Sequence, residues 1–177
     1  MALGATIHKV ALTLSDLDRH FYHDFDFTLA RHPSETEARM MLRVCAFAFH
    51  ADERLAFTKG ITQEDEPDLW LTGYDGSIRL WIDLGQPDEK RIRKACGRAE
   101  EVIIYTYARR AAEAWWRQNG GKFSRFKNLQ VIQLDVEGEI ESLAERSMHL
   151  QAVIQDNELL LTDEQERQLR IRREVWT

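Results

Sequence analysis

The sequence predicts a mixed α/β fold, and three observations carry that reading. Two N-terminal segments alternate apolar and polar residues with the period of half-buried strands; "RHPSETEARMMLRVCAFAFH" opens like a capped helix; and "EVIIYTY" is apolar throughout, as expected of a strand buried on both faces beside a parallel neighbour. The chain has 177 residues, 44% hydrophobic and 31% charged, which suits one soluble domain spanning 1–177.

Each element follows in order. Ile7, Val10, Leu12 and Leu14 mark a first strand; Phe21, His23, Phe25, Phe27 and Leu29, set against Asp24 and Asp26, mark a second. Ser34 and Glu37 fit a capping box at the start of the first helix. From Met40 to Phe49 that helix is apolar almost all round, apart from a stripe formed by Glu35, Arg39 and Arg43. "KGITQEDEPD" reads as an acidic turn. "LWLTG", the Asp75-Gly76 turn and "IRLWIDLG" form a hairpin, and "QPDEKRIRKACGRA" begins a helix with Asp88 and Glu89 complementing its dipole. "ARRAAEAWWRQNGG" is a further helix, in which Trp115 and Trp116 read as packing anchors. Strands "NLQVIQLD", "MHLQAVIQ", "ELLLTD" and "LRIRREVW" complete the chain, with "VEGEIESLAERS" between the first two as an acidic helix or loop.

Composition limits function. A net charge of −6 excludes a protein that coats nucleic acid with its whole surface, so such binding needs a local basic patch. The best one is Lys122, Arg125 and Lys127 interleaved with Phe123 and Phe126, with Arg110 beyond the buried strand as a phosphate contact. Cys45 and Cys96 lie in helical or apolar surroundings and read as reduced thiols with no disulfide. No run reaches about 18 apolar residues, so a cytoplasmic, non-membrane protein is expected, and a monomer. His20, His23 and Asp24 do not make a zinc site, because strand alternation separates the two histidines.

The chemistry concentrates in "DEPDLWLTGYDGSIRLWIDLG". A hairpin would bring Asp68 and Asp83 together, and paired carboxylates are what a divalent cation such as Mg²⁺ requires when it activates water against a phosphodiester. Glu35 or Glu66 would be the third acid. Asp83 sits among apolar neighbours and needs a metal or a cationic partner, for which Arg79 and Arg43 are candidates; Glu35 has Arg39 as an alternative partner. Gly85 stands two positions past Asp83, where a lysine is expected, leaving Lys94 or Arg91 on the next helix to supply the cation.

Long runs, "TLARHPSETEARMMLRVCAFAFHADERLAFTKG", "DEPDLW", "LWIDLGQPDEKRIRKAC" and "RAAEAWW", resemble the YaeQ family of small bacterial proteins over essentially the whole chain. The resemblance implies a restriction-endonuclease-like fold, a PD-(D/E)XK variant with extra β-strands at both ends, which agrees with the helix, hairpin, helix and strand order above. It implies that Pro67-Asp68 is the PD element, Asp83 the second acid and Glu35 the helix carboxylate, with Gly85 departing from the pattern. A metal-dependent nuclease is therefore expected, and the alternative is a non-catalytic nucleic-acid or transcription-associated binding protein on the same scaffold.

Overall fold

A computed structural model describes residues 4–59 and 65–177, which hold ten strands and three α-helices. The central part of the "KGITQEDEPD" turn lies outside the described residues. The chain divides into two compact units, one of Met1–Ala51 with Val136–Arg172 and one of Asp52–Asp135 with Arg173–Thr177.

In the first unit, β1 (Thr6–Asp16) and β2 (Phe21–Arg31) are the predicted alternating pair, antiparallel and eleven residues each. Val10, Leu12 and Leu14 point inward with almost no exposure, as a period of two requires. On its other side β1 pairs in parallel with β8 (Ser147–Gln155), which is followed in antiparallel hairpins by β9 (Glu158–Thr162) and by β10 (Gln168–Val175), whose residues up to Arg172 belong to this unit. The helix α1 (Glu37–Phe49) buries every residue from Met40 to Phe49. Its Phe47 ring meets Phe25 edge-on at 5.1 Å and Phe27 at 4.6 Å. The helix does not start on the Ser34 capping box. Ser34 Oγ is bonded to His32 Nδ1 at 2.7 Å, and Thr36 caps instead, accepting the Arg39 N–H at 3.1 Å. Among described residues, the segment expected as an acidic helix or loop holds only a single 3₁₀ turn, Ile140–Leu143.

In the second unit, β3 (Leu55–Phe57), β4 (Leu69–Thr72) and β5 (Ile78–Leu84) form an antiparallel meander. Three segments follow: α2 (Glu89–Arg98), β6 (Ala99–Thr106) and α3 (Arg109–Phe123). The last strand, β7 (Leu129–Glu137), has its residues up to Asp135 in this unit. β5, β6 and β7 are parallel neighbours, so the apolar run read as a doubly buried parallel strand is β6, with Val102 to Thr106 buried. Trp81, Ile92, Val102, Ile104, Phe123 and Val131 form the core beneath α2 and α3, against which Trp115 and Trp116 pack. Cys45 and Cys96 are free thiols; burial pushes Cys45 up to about 12 and Cys96 up to about 11. No helix among the described residues is long and apolar enough to cross a membrane.

Candidate functional site

Asp68 and Asp83 lie side by side because of strand register. Leu69 pairs with Ile82 in the antiparallel β4–β5 ladder, which makes Asp68 and Asp83 the next opposing positions, on one face of the hairpin. Pro67 ends the preceding loop, and the Asp68 main chain is tied on both sides, its N–H donating to Ile82 O and its carbonyl accepting from Thr58 N–H. Asp68 and Asp83 are 4% and 3% exposed, so each carboxylate needs a partner.

Both have one within this unit. Arg91, one turn into α2, reaches back over the strand end. Its Nε donates to Asp83 Oδ2 at 2.8 Å and its Nη2 to Asp83 Oδ1 at 3.0 Å, a fork on a carboxylate. The Trp81 indole N–H adds a third bond to Oδ2 at 3.1 Å, and Asp68 Oδ2 accepts the Leu84 N–H at 2.8 Å. Burial works against the Arg91 charge, but Asp83, with Asp68 and Asp88 beyond it, more than offsets this and holds the guanidinium above its ordinary value. Arg91 Nη2 also donates to the Glu66 carbonyl at 2.9 Å, so Glu66 contributes its main chain, while its side chain accepts from Lys59 N–H. The capping of α2 fixes this geometry: Asp88 accepts the Arg91 N–H at 2.8 Å, which sets the rotation of the helix.

The other candidates have partners of their own. Lys94 is exposed and bonded to Asp65, whose carboxyl it holds below the usual range, chiefly through that hydrogen bond. Glu35 belongs to the first unit and is bound there by Arg39 Nη1 at 2.6 Å and by Arg43 Nε and Nη2 at 3.1 and 2.6 Å. Its arginine stripe is thereby explained, and the partner of Asp83 is Arg91, where Arg79 and Arg43 were the expected candidates. At Gly85 there is open space for a Cβ, but φ is +122°, and its N–H donates to Tyr105 O at 2.8 Å, joining β5 to β6. The backbone sign, not crowding, disfavours a lysine there.

These residues do not fit a divalent cation well as they stand. Asp83 Oδ1 accepts from the Arg91 guanidinium and Oδ2 from both the guanidinium and the Trp81 indole, and one oxygen of Asp68 accepts a main-chain N–H, so few of the hard-oxygen lone pairs Mg²⁺ requires are left. Among the described residues no group of three or more His, Cys, Asp or Glu side chains could hold a metal.

A basic surface lies on the same unit. Arg110, Lys122, Arg125 and Lys127 are all exposed. Arg125 pairs with Glu89 and lies over the Phe126 ring at 4.8 Å. Arg109 is bound by Asp135, Glu174 and Glu113, which hold it above its ordinary value. Sequence reasoning missed Arg117, seven residues after Arg110 and so on the same outer face of α3; that spacing was the available signal. Trp115 anchors α3 by donating its indole N–H to Pro87 O at 3.1 Å, which ties the basic helix to the loop leading from Asp83 into α2.

Comparison with known proteins agrees with this architecture. The chain is 51% identical over 166 residues to YaeQ of Escherichia coli (strain K12), covering 93% of this chain and 92% of that protein, and 51% identical over 166 residues to YaeQ of Salmonella typhi, covering 92% and 91%. The crystal structure of YaeQ from Xanthomonas axonopodis pv. citri superposes with a TM-score of 0.92 at 41% identity, covering 98% of each chain. That of YaeQ from Pseudomonas syringae gives 0.91 at 32% identity, covering 98% of this chain and 96% of that one. The family profile described as YaeQ protein matches residues 1–171, and the chain belongs to the YaeQ family.

Proposed function

We propose that this protein is a cytoplasmic nucleic-acid-binding protein that keeps a PD-(D/E)XK-like scaffold in its second unit without using it for hydrolysis. The observation that carries the reading is the outer surface of α3 and its following loop. Between Arg109 and Lys127 there are six cations, Arg109, Arg110, Arg117, Lys122, Arg125 and Lys127, against the single acid Glu113, in a chain whose net charge is −6. Arg110, Arg117, Lys122 and Lys127 are exposed and make no ion pair among the described residues, which leaves four side chains for phosphates. In support, the meander, helix and parallel strand of this unit follow the order of that nuclease core, and the half-buried Arg91 on the buried Asp83 supplies the charge balance that a cation gives such a site.

Salt-dependent binding tests it. Fluorescence anisotropy on labelled single-stranded and duplex oligonucleotides should show affinity falling steeply with salt, and each removed phosphate contact should lower the slope by about one. Lys122→Ala/Lys127→Ala and Arg110→Ala/Arg117→Ala should both weaken binding. Unchanged affinity in both removes this surface.

The opposing register of Asp68 and Asp83 favours a second reading, metal-dependent phosphodiester hydrolysis, in which Arg91 first leaves Asp83. Calorimetric titration of Mg²⁺ or Mn²⁺ would show heat that disappears in Asp83→Ala; absence of heat at millimolar metal would sink it.

A further inference from the structure

We infer that Tyr74, backed by Arg54, is a stacking platform for an unpaired base, so that the nucleic acid this protein takes is single-stranded; this rests on the reading just given. Tyr74 is 96% exposed, the most open large hydrophobic side chain among the described residues, and it sits at the tip of the β4–β5 hairpin. The fold does not require an aromatic there. What the fold does is fix the backbone that carries the ring. Gly73 N–H donates to Ser77 O at 2.8 Å, Gly76 N–H donates to Gly73 O at 3.1 Å, and Gly76 takes φ +83°, closing a tight turn. Asp75, the adjacent acid, is folded back onto the Ser77 N–H and hydroxyl, which hold its carboxyl below the usual range.

Register brings the cation. Leu55 pairs with Leu71, so the turn before β3 lies beside the end of β4, and Asp52 fixes that turn by accepting the Arg54 N–H at 2.8 Å. The Arg54 guanidinium then covers one face of the Tyr74 ring, 3.8 Å from its centre. A ring with one face against a guanidinium and the other in water presents the geometry on which bases stack without regard to sequence. A base inside a duplex offers no free face, so this contact selects single strands.

The platform and the Lys122–Lys127 part of the basic surface occupy the same end of the sheet, whereas Arg110, at the start of α3, follows the opposite end of β6. β5 leaves the hairpin tip at Ile78, and β5, β6 and β7 are parallel, so the Lys122–Lys127 segment that enters β7 lies at the end where Tyr74 projects. With β6 alone between β5 and β7, the lateral separation of those two strands is about 10 Å. Ile78 is level with Ala99 and Leu129 with Val102, so the two sites are also offset along the strands by about 10 Å, a span that a single strand of several nucleotides bridges between phosphates on Lys122 and Lys127 and a base on Tyr74.

The test is anisotropy at low salt with a short labelled thymidine strand and with a duplex, on wild type, Tyr74→Ala, Tyr74→Trp and Lys122→Ala/Lys127→Ala. Tyr74→Ala should weaken the single strand about 10-fold and the duplex less than about twofold, with Tyr74→Trp restoring binding. If Tyr74→Ala changes neither polymer, or both equally, while Lys122→Ala/Lys127→Ala weakens both, the stacking role is overturned and the basic-surface reading stands. If wild type binds neither polymer, the basic-surface reading fails and the stacking role with it.

Discussion

Glu35 and Asp83 are two carboxylates, one in each unit, that meet the same problem by the same chemistry and differ in how their partners arrive. Each is almost wholly buried, and each has its main arginine eight residues later in the chain, Arg43 for Glu35 and Arg91 for Asp83. Glu35 lies one residue before the helix cap, so Arg39 and Arg43 come round one and two turns later as a matter of helical periodicity. Asp83 is in a strand, and Arg91 reaches it only after the chain turns at Gly85 and enters a helix whose rotation Asp88 sets. Equal spacing thus hides unequal origins: one cluster is local, while the other exists because β4, β5 and α2 are assembled. The lesson is that a buried acid at a strand end can be satisfied by the protein itself.

That contrast can be broken or sharpened by measurement, and the largest effect is expected at Glu35. The Arg43 side chain is 5% exposed, so Arg43→Ala leaves an almost dry carboxylate with Arg39 alone and should cost about 3 to 5 kcal/mol in urea unfolding. Arg91 is 29% exposed and Trp81 remains on Asp83 without it, so water can enter, and Arg91→Ala should cost about 1 to 3 kcal/mol. Equal losses in the two variants would show that the clusters are alike after all. Gly85→Ala, which forces a side chain onto φ +122° at the turn between Asp83 and Arg91, should cost about 1 to 2 kcal/mol with the fold retained. Lys94→Ala comes last, with an unchanged unfolding midpoint, because that pair is exposed and screened. Its signature is in titration. Lys94 depresses the Asp65 carboxyl, so whatever stability that contact contributes is present above the unfolded-state value and is lost as pH falls through the folded one; NMR titration of Lys94→Ala should move Asp65 up toward the ordinary carboxylate range, with Arg98 and Arg91 still drawing it down.

Much of the site was legible and its meaning was not. Asp68 and Asp83 could be paired from the hairpin pattern alone, since two short strands and an Asp-Gly turn leave little choice of register. Arg91 was visible as a cation on a helix, flanking the face defined by Ile92 and Ala95, but whether it or Lys94 turned inward depended on the cap at Asp88 and on the space above the strand end. Lys94, three residues later, faces out to Asp65. The exposed arginine at 117 could have been found from its seven-residue distance to Arg110, whereas the contact between Arg54 and Tyr74, twenty positions apart, could not.

By itself the sequence determined the alternating strands of the first unit, the buried parallel strand, the buried first helix and the family, because each is written as a periodicity or a long run that local physics or likeness can read. Only the tertiary structure decided that Asp83 is held by Arg91, that Gly85 occupies its place for its backbone angle, and that Tyr74 stands on Arg54. Those facts depend on side chains brought together by strand register and helix rotation, and a linear spacing carries no information about either until the elements have packed.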